Sequence, residues 1–298
     1  MVEPYEQENV RSPRRPDSPA RSEVDISTAI EVRRPRFDLA RGVSRGIWNP
    51  HLPELSHTLN AFQFALPHLE PYFMDAIRAA DVYIIEPELK AAARAFCAQE
   101  ANHARAHREY CLFLREHYPR LREFDARIQA SLLHSRKHDM LDWRLAYTAA
   151  YEMITAQLSR WLFANAEVWF RGAEGDFAAM MTWHAAEEIE HRQVAFDVLR
   201  CLNPSWRLRV RALAVALHKT LADLTPIVTY LLSEDGYAHR LDSRVRRYRL
   251  RMGLVAQLLP AVARYLSPGY HPRNDPEPQG YAQWLRAHSA FPVGAPEH

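Results

Sequence analysis

Two Glu-x-x-His motifs, Glu100 to His103 and Glu188 to His191, constrain this chain more than any other feature. The second lies within Met181–Asp197, and a further histidine, His184, stands four residues before its glutamate. On a helix, at about 100° per residue, Glu188 and His191 lie about 60° apart and one turn apart, so carboxylate and imidazole reach a common point. Two such helices, joined by one glutamate from each of two others, build a carboxylate-bridged dimetal site inside a four-helix bundle.

The remainder of the sequence agrees with an all-α fold. Only 9 of 298 residues are glycine, and the 48% apolar and 25% charged content suits a packed helical domain. Residues 1–35, rich in Pro, Arg, Ser and Glu, read as a disordered N-terminal arm. Residues 36–290 read as a single helical domain, with the bundle over about 68–202 and C-terminal helices over about 205–266. Pro67 and Pro71 predict a break, with a short helix over 54–65 and a restart over 70–84. A helix from Pro87 to His117 follows, then one over 121–133. Asp142 is expected to cap a long helix ending at Gly172, and Asp176 one that runs unbroken to Asn203-Pro204. Ser205 caps a fifth long helix, interrupted at Pro226, and a sixth spans 237–266.

Glu152 sits in the Ala-rich, otherwise apolar run Thr148–Thr155, where a lone buried carboxylate is costly unless paired or bound to metal. Glu70 precedes Glu100 by 30 residues, much as Glu152 precedes Glu188 by 36, so each separation accommodates one helix-turn-helix excursion. His184 projects about 40° from Glu188 on the same side, which places it with the ligands. Glu190 projects about 160° away and is expected to face solvent, whereas Glu187, about 100° away, is expected to stand behind the ligands. The candidate metal ligands are therefore Glu70, Glu100, His103, Glu152, His184, Glu188 and His191. Tyr151, Thr148, Thr155, Met153 and His107 are candidates to line the cavity or support it. Four carboxylates and three imidazoles without a thiolate suit two iron ions, or manganese, better than structural zinc.

The order Glu70, Glu100-x-x-His103, Glu152, His184-x-x-x-Glu188-x-x-His191 resembles the ferritin-like diiron oxygenases, and the extra histidine is similar to the arylamine N-oxygenase branch. The block Trp183–Asp197, with Tyr270-His271-Pro272, resembles a bacterial family catalogued as predicted metal-dependent hydrolases, over roughly residues 35–284. That family usually carries Pro-x-Gly-Glu at its first ligand, where this chain reads Pro67-His68-Leu69-Glu70. The ligand pattern implies a ferritin-like four-helix bundle. As function it implies a diiron monooxygenase that uses O2 and an external electron donor to hydroxylate or N-oxygenate a small organic substrate. The hydrolase family implies instead that the two metals acidify a water.

Other readings have less support from the residues. His107 with His138-Asp139 has the spacing of HD-type phosphohydrolases, but His138 falls in a polar stretch. A non-catalytic iron-handling protein would not need the third histidine. The net charge of +2 points to no nucleic-acid partner, and no window is apolar enough for a transmembrane segment. Cys97, Cys111 and Cys201 read as buried free thiols, and the start of the chain lacks a signal-peptide pattern, so a cytoplasmic location is expected. The arginines of residues 240–251 point all round their helix, which predicts salt bridges to acidic neighbours. This helix and its predecessor are the expected homodimer interface, or a lid over the bundle.

Overall fold

The computed structural model describes residues 30–39 and 45–288, and every regular element among them is helical. The α-helices are α1 (Pro53–Ala79), α2 (Pro87–His117), α3 (Leu121–His138), α4 (Leu141–Trp169), α5 (Phe177–His191), α6 (Val194–Leu202), α7 (Trp206–Glu234), α8 (Leu241–Tyr265) and α9 (Tyr281–His288). Helices α1, α2, α4 and α5 surround a buried cluster of glutamates and histidines. Helix α7 lies against α4 and α1, and α8 crosses the same pair, so the C-terminal helices cover one side of the bundle.

Helix α1 is continuous where the prolines predict a break. Pro67 removes an amide that would have bonded the Gln63 carbonyl, and the Cys111 thiol approaches that carbonyl instead, at 3.4 Å. Each interior proline costs about 3 kcal/mol. Against this, 20 of the 27 residues of α1 are buried, and each large apolar side chain among them contributes about 1.5–3 kcal/mol. Packing therefore outweighs propensity, and Glu70 lies well inside a helix.

The opposite error occurs at Arg192. The segment expected as one helix ends at His191 and resumes at Val194. The Arg192 guanidinium hydrogen-bonds the Ile189 carbonyl and also reaches the Pro272 carbonyl at 3.4 Å. Ile189 is the residue whose carbonyl Gln193 would need to continue the helix, so the side chain competes with the ladder.

Other boundaries shift less. Helix α3 runs on to His138, where basic residues in the last turn suit the helix dipole. Helix α4 starts at Leu141, one residue before the expected cap. Ser205 caps α7 as expected, accepting from Leu208 N at 3.3 Å, while Pro226 is absorbed inside that helix.

The expected arm differs at its end. Residues 1–29 lie outside the described residues, but Arg33 is buried, and Ile30 and Phe37 pack against the core. The packed chain thus begins by residue 30, because the Arg33 guanidinium finds acidic partners on α5. Of the three cysteines, Cys97 and Cys111 are buried and Cys201 is exposed.

Candidate metal centre

Each helix of the bundle contributes at the same level. Helix α1 supplies Glu70; α2 supplies Glu100, His103 and His107; α4 supplies Glu152; α5 supplies His184, Glu187, Glu188 and His191. All nine are buried. The seven expected ligands converge, and two groups among them have ligand atoms within 4.8 Å of one another: Glu100, His103, Glu188 and His191, and Glu70, His103 and His184. His103 belongs to both. Glu152 adjoins the first group through His191, with Oε2 2.8 Å from Nδ1.

The contacts within the cluster are close but are mostly not hydrogen bonds. Glu100 Oε1 lies 3.1 Å from His191 Nε2, and Glu70 Oε1 lies 3.2 Å from His107 Nε2. Yet both oxygens of Glu70 and of Glu100, Glu188 Oε2, His103 Nδ1 and His191 Nε2 are buried without a hydrogen-bond partner. Buried polar atoms are ordinarily satisfied, and an unmet one costs about 1–3 kcal/mol. So many at one point, with lone pairs directed inward, fit a cation and not a self-sufficient polar network. The close ionic contacts of Glu70, Glu100, Glu152 and Glu188 are with histidines alone.

Electrostatics point the same way. Burial, with Glu100 nearby, pushes Glu70 well above the usual carboxylate range. Burial raises Glu152 to about 8, although His191 opposes the shift. Burial would raise Glu100 too, but the close approach of His103 and His191 overcomes it and holds the carboxyl at about 2. His103 is the converse case: burial would lower it, but Glu100 and Glu187 push it up to about 10. Burial and the neighbouring His184 and His103 hold His107 well below the ordinary imidazole value. Without metal, the site thus balances its carboxylates with protons, and divalent ions would replace those protons.

His103 also has a support that the sequence projection undervalues. Its Nε2 lies 2.9 Å from Glu187 Oε2, and Glu187 Oε1 is 3.3 Å from the Arg33 guanidinium. Arg33 further bridges to Glu190 at 2.8 Å, and Gln99 donates to Glu190 at 2.8 Å. Glu190 is therefore not solvent-facing as expected: it neutralises a buried arginine. A metal-ligating imidazole usually donates its second N–H to a carboxylate, and Glu187 has that position. The Glu187-Glu188 doublet was the available signal, whereas nothing in the local sequence marks Arg33.

A cavity of about 150 Å³ adjoins the cluster. His184 and Glu188 form its polar end, and Phe62, Leu162, Trp161 and Leu224 are among its apolar walls. Thr155 lines it, and Tyr151 with Thr155 lines a smaller neighbouring cavity of about 30 Å³. Thr148 and Met153 line neither: Thr148 donates to the Arg144 carbonyl, and Met153 is core. His107 meets His184 edge-on with ring centroids 4.6 Å apart, one ring removed from the cavity. His138 is exposed beside His134, so the His-Asp dipeptide takes no part.

Fold and site together define an all-helical bundle with a buried carboxylate–imidazole centre able to hold metal. The chain belongs to the family described as predicted metal-dependent hydrolase, whose profile matches residues 31–275. No curated protein and no solved structure matches the chain significantly. The family overturns the oxygenase reading, which rested on ligand pattern alone. Ligand sets of this kind bind metal for several chemistries, so the pattern does not select oxygen activation. Hydrolysis is redox-neutral and has no use for O2 or an electron donor.

Proposed function

We propose that this protein is a hydrolase acting on a small, largely apolar substrate, with two divalent metal ions held by Glu70, Glu100, His103, Glu152, His184, Glu188 and His191. The observation that carries this reading is the shared boundary of the metal cluster and the apolar cavity at His184 and Glu188. The bound ions would serve there as Lewis acids and activate water. A set of carboxylates and imidazoles without thiolate suits manganese or iron.

The chain's own residues supply orientation, exclusion and proton transfer. The largely apolar cavity wall from α1, α4, α5, α7 and α8 limits the access of bulk water and places the scissile bond against His184 and Glu188. Burial and the neighbouring His184 and His103 favour the neutral form of His107, and both its ring nitrogens are buried without hydrogen-bond partners. Its Nε2 accepts the proton released at the cluster, with Glu70 Oε1 3.2 Å away to stabilise the resulting cation. Glu187 fixes the His103 ring through Nε2.

Hydrolysis of p-nitrophenyl esters of increasing acyl length tests the proposal, with chelated, manganese-loaded and iron-loaded protein compared. Turnover that needs metal, disappears in Glu188→Ala and falls in His107→Gln is expected. Metal-loaded protein inert toward esters, amides and phosphoesters alike would sink the hydrolase reading.

A further inference from the structure

Helix α8 is a long helix whose outward face is apolar. Leu241, Val245, Tyr248, Met252, Val255 and Leu259 are 74, 45, 65, 46, 51 and 64% exposed. Their spacing of 4, 3, 4, 3 and 4 places all six within a strip about 80° wide on the solvent side. The inward face of the same helix, including Ser243, Leu250 and Ala261, packs on the bundle or is partly covered. Exposure of this stripe is therefore not a consequence of a poorly packed helix. A contiguous apolar surface of this kind marks an interaction site.

Charge at the rim identifies the partner. Arg249 projects to one side of the stripe, and Arg244 and Arg251 to the other; all three are exposed and none makes an ion pair among the described residues. The other arginines of this region are engaged: Arg240 and Arg246 with Asp242, Arg246 also with Glu54, Arg247 with the Ala238 carbonyl, and Arg264 with Asp275. Asp242 is the only acidic residue of α8, and it is already occupied. Pairing with a second copy through this face would set the unpaired arginines against their own equivalents, with no free acid on α8 to offset them. An apolar stripe flanked by unpaired arginines, with an exposed tyrosine in it, is instead complementary to an anionic lipid surface. Among the described residues no helix is long and apolar enough to cross a membrane, so the contact is interfacial.

The position of the stripe adds a second, independent observation. The 150 Å³ cavity reaches the surface between α7 and α8, where Leu221 is 65% exposed and Arg251 is exposed. Arg251 thus belongs both to the rim of the stripe and to the mouth of the cavity. We infer that the outward face of α8 seats this protein on an anionic lipid bilayer, with the mouth of the apolar cavity turned toward the membrane.

Co-sedimentation with extruded vesicles tests this. One set is pure phosphatidylcholine, the other three parts phosphatidylcholine to one part phosphatidylglycerol; the full chain is used, and light scattering of the lipid-free protein reports its association state. Binding to the anionic vesicles that weakens with salt is expected, with about a fivefold loss for each of Arg244→Gln and Arg249→Gln. Tyr248→Asp with Met252→Asp removes it, while circular dichroism and metal content show the fold and cluster intact. Absence of binding, or equal binding to both vesicle types, overturns the inference. So does a lipid-free dimer that Tyr248→Asp with Met252→Asp dissociates, which would make the stripe a protein interface. None of these outcomes depends on hydrolysis, so the docking surface stands or falls apart from the proposed activity.

Discussion

Replacing Glu152 by glutamine separates the metal-free protein from the metal-loaded one. In the metal-free fold burial lifts Glu152 to about 8 from an ordinary 4.5. Because the folded value is raised, the stability tied to this group is intact below pH 4.5 and is lost progressively up to pH 8. At pH 7 folding must protonate a carboxyl that is ionised in the unfolded chain, across two and a half pH units at about 1.4 kcal/mol each, or about 3 kcal/mol. Glutamine, neutral in both states, avoids that cost. Chelated Glu152→Gln should therefore melt higher than chelated wild type at pH 7, by roughly 5–10 °C. The gap should close as pH falls toward 4.5. With metal restored the order should reverse, since the variant has lost a charged ligand and gains less from binding. Thermal melts followed by circular dichroism, at several pH values with and without chelator, read all three effects. A chelated variant that melts several degrees below wild type at pH 7 would refute the reasoning. It would show Glu152 ionised and paired with His191, because breaking a buried pair costs about 3–5 kcal/mol.

Other expectations follow from the cluster and its surroundings. His103→Ala should abolish binding of both ions, since His103 belongs to both groups, whereas Glu70→Ala should leave about one ion per chain by elemental analysis. Glu187→Gln should weaken metal affinity by about 10–100-fold in a competitive chelator titration, because it leaves His103 Nε2 without its carboxylate. Ala185→Leu, which projects into the cavity beside Glu188, should reduce turnover of long-chain more than short-chain esters, with metal content unchanged. A thiol reagent should modify only Cys201 in the native protein: Cys97 and Cys111 are buried, and burial raises the Cys97 thiol to about 11.

The sequence made the centre of this fold readable because the chemistry coincides with periodicity. Glu188 and His191, and Glu100 and His103, announce themselves at helical spacing, and Glu152 stands out as an acid in an apolar run. The remainder depended on contacts between distant segments. The prolines of α1 are a local signal for a break, but the tertiary burial that overrides them is visible only once α2 and α4 are in place. Arg192 ends α5 through a side-chain bond to a carbonyl, and neither composition nor periodicity records such a contact. Projection judged Glu190 from its own helix alone; the buried arginine that it neutralises arrives from residue 33. In the same way, α8 read as a helix with arginines on all sides. Only the packed structure separates the engaged arginines from the unpaired ones and turns the stripe outward.

The bond between Arg33 and Glu187 joins residues separated by 154 positions, and Glu70 approaches His184 across a comparable span. Contacts of such separation form late, because loop closure must precede them. During synthesis Glu70, Glu100 and His103 leave the ribosome long before α5 exists. The first half of the centre is then Glu70, Glu100, His103 and His107 without the second histidine pair, and Arg33 is without the α5 carboxylates that it braces. The nascent chain therefore has no finished site with which to capture a stray ion. Tight binding would begin only when α5 docks, so acquisition of metal would fall at the close of folding and not at its nucleus.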